Sequence, residues 1–230
     1  MRQLFYPWRL WQTLTRKPVV PLFLTYTNKT FGLFRYHFGS AENYHSITLA
    51  EKRWFTFDAP EGIASLENLF ESSKPATPEK GIPFPQADTL GTVIAAVELC
   101  AGAENTALEI STALNFDVRQ GSYYTAAAEW LGFIVRNGAQ RELTTRGRAF
   151  VSASRWQRFE ILFQAVAATP VFRDCIRQNL ERKPATATEI AEMIFAKGYV
   201  NKTTAGRRAK TVVAWLDWLW REHTNLTATR

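Results

Sequence analysis

Residues 117–150 read DVRQGSYYTAAAEWLGFIVRNGAQRELTTRGRAF, and the order of signals along this stretch decides the fold. Asp117 suits an N-cap, Val118–Leu131 carries a helical pattern, and Gly132 ends it at the position just past the helix. Phe133-Ile134-Val135-Arg136 and Arg141-Glu142-Leu143-Thr144 are short extended runs around Asn137-Gly138, the dipeptide most favourable to a tight hairpin. Thr144 or Thr145 then caps a further helix. Upstream, Asn105 can cap a short helix over Thr106–Leu114, and only Asn115-Phe116-Asp117 separates it from the next helix. That is helix-turn-helix spacing, and a hairpin directly after it is a wing. Leu90, Val93, Ile94, Val97 and Ala101 fall at i, i+3, i+4, i+7 and i+11, the stripe of a buried helix with Asp88 as its N-cap. Residues 88–153 therefore predict a winged-helix module.

Residues 154–230 repeat the theme. Trp156, Phe159, Phe163 and Val166 mark one helix, Pro170 opens another through Leu180, and Thr186 with Glu189 forms a capping box for Ala187–Ala196. Gly198 ends that helix, and a long stripe follows: Ala205, Ala209, Val212, Val213, Leu216, Leu219 and Trp220. Its first turns hold Arg207, Arg208, Lys210 and Thr211, with Lys202, Thr203 and Thr204 just before. In a recognition helix such residues pair with guanine edges and hold phosphates; in a core helix they are a solvated basic face. About ten residues follow Trp220, which leaves little room for a second wing.

Working outward in the other direction, residues 72–87 are rich in proline and serine, and they predict a linker. A short apolar helix over Ile63–Phe70 precedes it. Residues 1–71 read as a small domain: a lead-in helix with Leu4, Trp8, Trp11 and Leu14, then strands over Pro21–Thr27, Thr30–Phe38, Tyr44–Leu49 and Arg53–Phe57. Asn28-Lys29 signals a tight turn between the first two. Phe34, Tyr36 and Phe38 alternate with Arg35 and His37, one face buried and one wet. The predicted class is α+β: an N-terminal antiparallel β-meander followed by tandem winged-helix or helix-turn-helix modules.

At 230 residues, with 46% apolar and 21% charged, the chain has the composition of a folded protein. The apolar run from Pro18 to Asn28 is broken by prolines and far shorter than a membrane helix needs, and charges interrupt the segment before it. No membrane association and a cytoplasmic location are expected. Cys100 and Cys175 lie in apolar helical patterns and read as core residues, while His37, His45 and His223 lack ligand spacing, so neither metal nor cofactor is expected. The net charge of +7 is concentrated at the C-terminus, where residues 151–230 hold 13 Lys and Arg against 7 Asp and Glu. That excess is compatible with a polyanionic partner or with a solvated surface.

Four segments together resemble the non-catalytic, winged-helix-bearing part of bacterial type II restriction-endonuclease-like proteins. They are Pro21–Asn28 with Phe34–Phe38 and Asn43–Ile47, Pro83–Asp88, Phe116–Tyr124 running into Ala128–Gly132, and Thr203–Val212 with Trp215–Leu219. The resemblance implies double-stranded DNA recognition in a restriction-modification or phage-defence setting, with a nuclease or methyltransferase as a further protein partner. It makes Arg119, Gln120, Ser122 and Tyr123 the candidate contacts of the first module, and Lys202, Thr204, Arg207, Arg208, Lys210 and Thr211 those of the second. A core stripe of Gln120, Tyr124, Ala127, Ala128 and Leu131 competes for Gln120, and core packing competes for Tyr123 and Tyr124.

A metal-dependent nuclease of that kind needs a strand carboxylate and an acid-x-Lys on the next strand, so that two carboxylates hold Mg²⁺ and the lysine orients water. The acid-x-Lys present, Glu181-Arg182-Lys183, ends a helix without a strand pair, and no phosphate loop or nucleophile elbow appears. The expectation is therefore DNA binding without cleavage and no catalytic residue. The alternatives are an adaptor whose winged helices bind protein, and a nuclease that assembles its metal site unconventionally around Glu181.

Overall fold

A computed structural model describes residues 2–56, 64–78, 81–102 and 105–228. The chain divides into two compact units, Met1–Ala59 and Pro60–Arg230.

The first unit is α1 (Arg2–Leu14) with strands β1 (Leu22–Thr27), β2 (Thr30–Phe38) and β3 (Ile47–Phe55), joined in the antiparallel order β1-β2-β3. Asn28 and Lys29, at φ 46° and 56°, form the turn between Thr27 and Thr30, which pair. Two successive positive φ values are those of the turn whose twist matches a hairpin. β3 is continuous where the sequence suggested a break. Its charged middle is held because Glu51 sits between Arg35 at 3.2 Å and Arg53 at 2.5 Å, and a register shift at Arg35/Tyr36 absorbs the irregularity. Phe57 lies outside the described residues. Phe5, not the predicted Trp11 or Leu14, is the buried side chain of α1; its ring meets Phe38 at 5.2 Å and Tyr44 at 6.2 Å, while Trp11 and Leu14 are exposed. Leu22, Leu24 and Tyr26, alternate residues on one face of β1, are also exposed.

The second unit contains α2 (Leu66–Ser72), α3 (Leu90–Leu99), α4 (Ala107–Ala113), α5 (Val118–Trp130), β4 (Ile134–Asn137), β5 (Gln140–Leu143), α6 (Thr145–Ser152), α7 (Arg155–Ala168), α8 (Pro170–Leu180), α9 (Ala187–Ala196) and α10 (Lys202–Ala228). The expected division at 153/154 is not a boundary between bodies. One hydrophobic core runs through both halves, and α7, buried on most of its surface, packs against α2, α6, α8 and α10. Arg158 of α7 bonds Glu98 at 2.5 Å and the Val151 carbonyl at 2.5 Å, and Arg155 bonds Glu222 at 2.9 Å. Part of the C-terminal positive charge is thus spent inside the fold.

The predicted linker over 72–87 is also part of this unit. Ser73, Phe84 and Ala87 are buried, Ala76 N–H donates to the Ala168 carbonyl at 2.8 Å, and Arg173 donates to the Ser73 carbonyl at 2.9 Å. Proline content describes the backbone of such a strap; its two apolar side chains and its carbonyls decide that it docks. The apolar helix candidate keeps its C-terminal part as α2, while Ile63 lies outside the described residues.

The segment closing the hairpin explains its own sequence. Thr144 caps α6 by accepting from Gly147 N–H at 3.0 Å and donates its hydroxyl to the Gly132 carbonyl at 2.7 Å. A Cβ on Gly147 would lie 2.0 Å from the Phe133 carbonyl oxygen, so this turn of α6 can approach β4 only with glycine there. Among the described residues, no helix is long and apolar enough to cross a membrane.

Candidate nucleic-acid interface

α4 and α5 meet through a turn in which Asn115 takes φ 56° and Phe116 N–H donates to the Ser111 carbonyl at 2.8 Å. Thr106 and Glu109 close a capping box on α4, and Asp117 caps α5 by accepting from Gln120 N–H at 2.9 Å. The close approach of the two helices depends on Gly121, where a Cβ would fall 2.6 Å from that of Ser111. Gly121 and Thr125, with Ala127 and Ala128, therefore form the inner face of α5. This corrects the predicted stripe: Gln120 is exposed, one position away from the buried glycine. Arg119 and Gln120 face solvent, while Ser122 and Tyr123 are half-buried. Arg119 Nε donates to the Tyr123 hydroxyl at 2.6 Å, with its guanidinium 5.7 Å from the ring centroid. Tyr124 stacks on Phe116 at 5.3 Å, as core packing requires.

β4 and β5 form a two-stranded antiparallel hairpin whose turn is Gly138-Ala139, one residue later than Asn137-Gly138, because Asn137 pairs with Gln140. Gly138 takes φ 60°, the glycine position of a two-residue turn. A bridge between Thr106 and Gln140 adds the residue preceding α4 as a third edge. Arg136, exposed beside the hairpin tip, is a candidate that the sequence reading passed over although its adjacency to Asn-Gly was visible.

α10 begins at an Asn201 cap, whose side chain accepts from Thr204 N–H at 2.9 Å. Ala205, Ala209, Val212, Trp215, Leu216, Leu219 and Leu226 are buried. Lys202, Arg207 and Lys210 are exposed and make no ion pair among the described residues; Thr204 and Arg208 are half-buried. Thr211 does not belong with them. It is 1% exposed, and its hydroxyl donates to the Asp88 carboxylate at 2.5 Å. Asp88 is thus occupied by α10 and does not cap α3; Thr89 holds that position without a side-chain bond. Trp215 Nε1 donates to the neighbouring Ala87 carbonyl at 2.7 Å.

Arg208 is the α10 candidate that senses α5. Burial and the neighbouring Arg207 push its guanidinium pKa down, and Tyr123 of α5 and Asp88 lie close enough to act in the opposite sense. Arg208 Nε is buried without a hydrogen-bond partner. Arg119 and Tyr123 are thus bonded to each other on the first half of α5, and Arg208 on the first half of α10 lies within electrostatic range of Tyr123. Nothing comparable forms elsewhere among the residues considered from sequence. Glu181-Arg182-Lys183 lies exposed at the end of α8, outside any strand. Burial pushes the Cys100 thiol up to about 11 and the Cys175 thiol up to about 12, leaving both protonated at neutral pH.

The fold is α+β: a three-stranded antiparallel sheet with a helix in the first unit, then a mostly helical second unit around one core. By sequence the chain belongs to the family described as Domain of unknown function (DUF7226), which matches residues 92–224, from α3 to α10. A second family, Domain of unknown function (DUF6997), matches residues 1–56, the helix and sheet of the first unit. No curated protein and no solved structure matches the chain.

Proposed function

We propose that the second unit binds double-stranded DNA through the first halves of α5 and α10, as the recognition part of a restriction-modification or phage-defence system without nuclease activity of its own. The observation that carries this reading is that Tyr123 of α5 lies within electrostatic range of Arg208 of α10. Two helices that the sequence marks independently as recognition helices have polar first halves that influence each other electrostatically through Tyr123 and Arg208. Lys202, Arg207 and Lys210 add exposed cations that make no ion pair among the described residues, as suits the release of counterions from a phosphate backbone. The α3-to-β5 segment supports a winged-helix reading in particular. It has three helices, a hairpin, and the Thr106–Gln140 bridge as a short third strand, with Arg136 on the wing. α10 then serves as a wingless partner, each covalently raising the other's local concentration on DNA.

The test is a fluorescence-anisotropy titration of the full chain with random duplex DNA at two salt concentrations, with Mg²⁺ present in parallel lanes of a gel. Salt-sensitive binding, weakened at least about tenfold in an Arg207→Ala/Lys210→Ala variant with the DNA uncut, is the expected result. A Kd no tighter than roughly 10⁻⁴ M and unchanged in the variant contradicts it. One observation favours a protein-adaptor reading for the first unit: the exposed Leu22, Leu24 and Tyr26 on a single sheet face. A nuclease or methyltransferase partner would be held there, and co-purification that survives Arg207→Ala/Lys210→Ala but not Leu24→Asp would support it.

A further inference from the structure

A cavity of about 1030 Å³ opens in the second unit between strap residues 76–78 and 81–86, one side of α5, and the hairpin. Its volume matches the upper range of sites that enclose drug-sized molecules. Two aromatic rings, Phe84 and Trp130, are part of its wall, and they are packed edge-to-face at 5.2 Å with Tyr199 behind them. Their positions are fixed by core contacts, so the wall is preformed.

The charged lining is one-sided. Among the described lining residues, Arg136, Arg141 and Arg146 stand with one acid, Glu129. Arg141 and Glu129 are both largely buried and stand 3.2 Å apart, yet the Arg141 Nε and Glu129 Oε1 atoms make no well-aligned hydrogen bond. Burial also pushes the Glu129 carboxyl up, against the pull of Arg141 and Arg136. Trp130, 5% exposed, has its Nε1 donor buried without any partner. Buried polar groups are nearly always paired. The Trp130 donor left unmatched in the wall, beside an excess of positive charge among the described lining residues, is unusual for a region whose only task is packing.

We infer that this cavity is a binding site for a small organic anion that carries a planar ring, the ring lying against Phe84 and Trp130 and the anionic group held by Arg136 and Arg141. It adjoins the proposed DNA face and shares Ser122, Tyr123 and Arg136 with it.

The probe is 8-anilinonaphthalene-1-sulfonate, with uncharged N-phenyl-1-naphthylamine as its comparison, titrated by fluorescence against the full chain. Two variants accompany it: Ala126→Phe, which fills the cavity from α5, and Arg136→Ala, which removes an exposed cation without touching the core. Circular dichroism melts establish that both fold. Saturable one-to-one binding of the sulfonate is expected, at least about tenfold weaker in Ala126→Phe and about threefold weaker or more in Arg136→Ala, with the neutral compound at least about tenfold weaker than the sulfonate. The inference is overturned by an absence of saturable binding, by an affinity indifferent to Ala126→Phe, or by equal affinity for the neutral compound. The assay contains no DNA, so its failure and the failure of the DNA-binding reading are read separately.

Discussion

The α4–α5 pair and the α9–α10 pair carry similar signals in sequence and are built on opposite principles. α5 is short, and its approach to α4 is set by a missing side chain at Gly121; the hairpin behind it is pinned by another at Gly147. α10 runs from Lys202 to Ala228, and its placement is set by side chains that are present: Thr211 on Asp88, Trp215 on the Ala87 carbonyl, and an apolar stripe against the common core. The first pair is specified by close backbone packing, the second by long-range contacts. A glycine therefore means something different in each.

The largest effect belongs to Gly147→Ala. The new methyl group would sit 2.0 Å from the Phe133 carbonyl, so α6 or the hairpin must move, at a cost of about 3 kcal/mol or more. In a unit of this size that lowers Tm by roughly 6–12 °C, measurable by thermal melts. Thr211→Val is intermediate. Removing the hydroxyl leaves the Asp88 carboxylate without that bond and costs about 1–3 kcal/mol, while DNA affinity at a temperature where the variant is folded stays within about twofold. A large loss of affinity there would return Thr211 to the binding surface. The smallest effect is a gain: at Gly206, inside α10, no atom lies within 4 Å of an added Cβ, so Gly206→Ala stabilises by about 0.5–1 kcal/mol. Destabilisation at that position would show that α10 also depends on a close approach.

The same contrast explains what could be read from the sequence. Local signals were legible: Asn28-Lys29 as a turn, Asp117 and Thr186 as caps, Gly132 and Gly198 as helix ends, and Thr144 with Gly147 closing the hairpin. Each acts through its own backbone or that of a neighbour in sequence. What depended on distant partners was not legible. The strap over 72–87 looked like a linker because proline and serine are conspicuous there, whereas the docking of Phe84 and Ala87 is decided by helices that come much later. Thr211 looked like a phosphate contact by type, and its partner Asp88 is 123 residues away. A core stripe competed for Gln120 as a contact because an apolar-stripe count gives no weight to Gly121, the residue that marks the inner face. For the candidate surface, the residue types were visible on each helix separately. That Tyr123 comes within electrostatic range of Arg208 follows from the shared core, which no local pattern encodes.

The account stands on α5 and α10 touching one DNA duplex together. The most direct test is the slope of log Kd against log salt for the full chain and for Arg119→Ala, Arg207→Ala and the double variant. A common face predicts that each single change reduces the slope by about one and the double change by about two, with affinity falling in parallel. If Arg119→Ala leaves slope and affinity unchanged while Arg207→Ala lowers both, α5 does not reach the duplex and the common face is wrong.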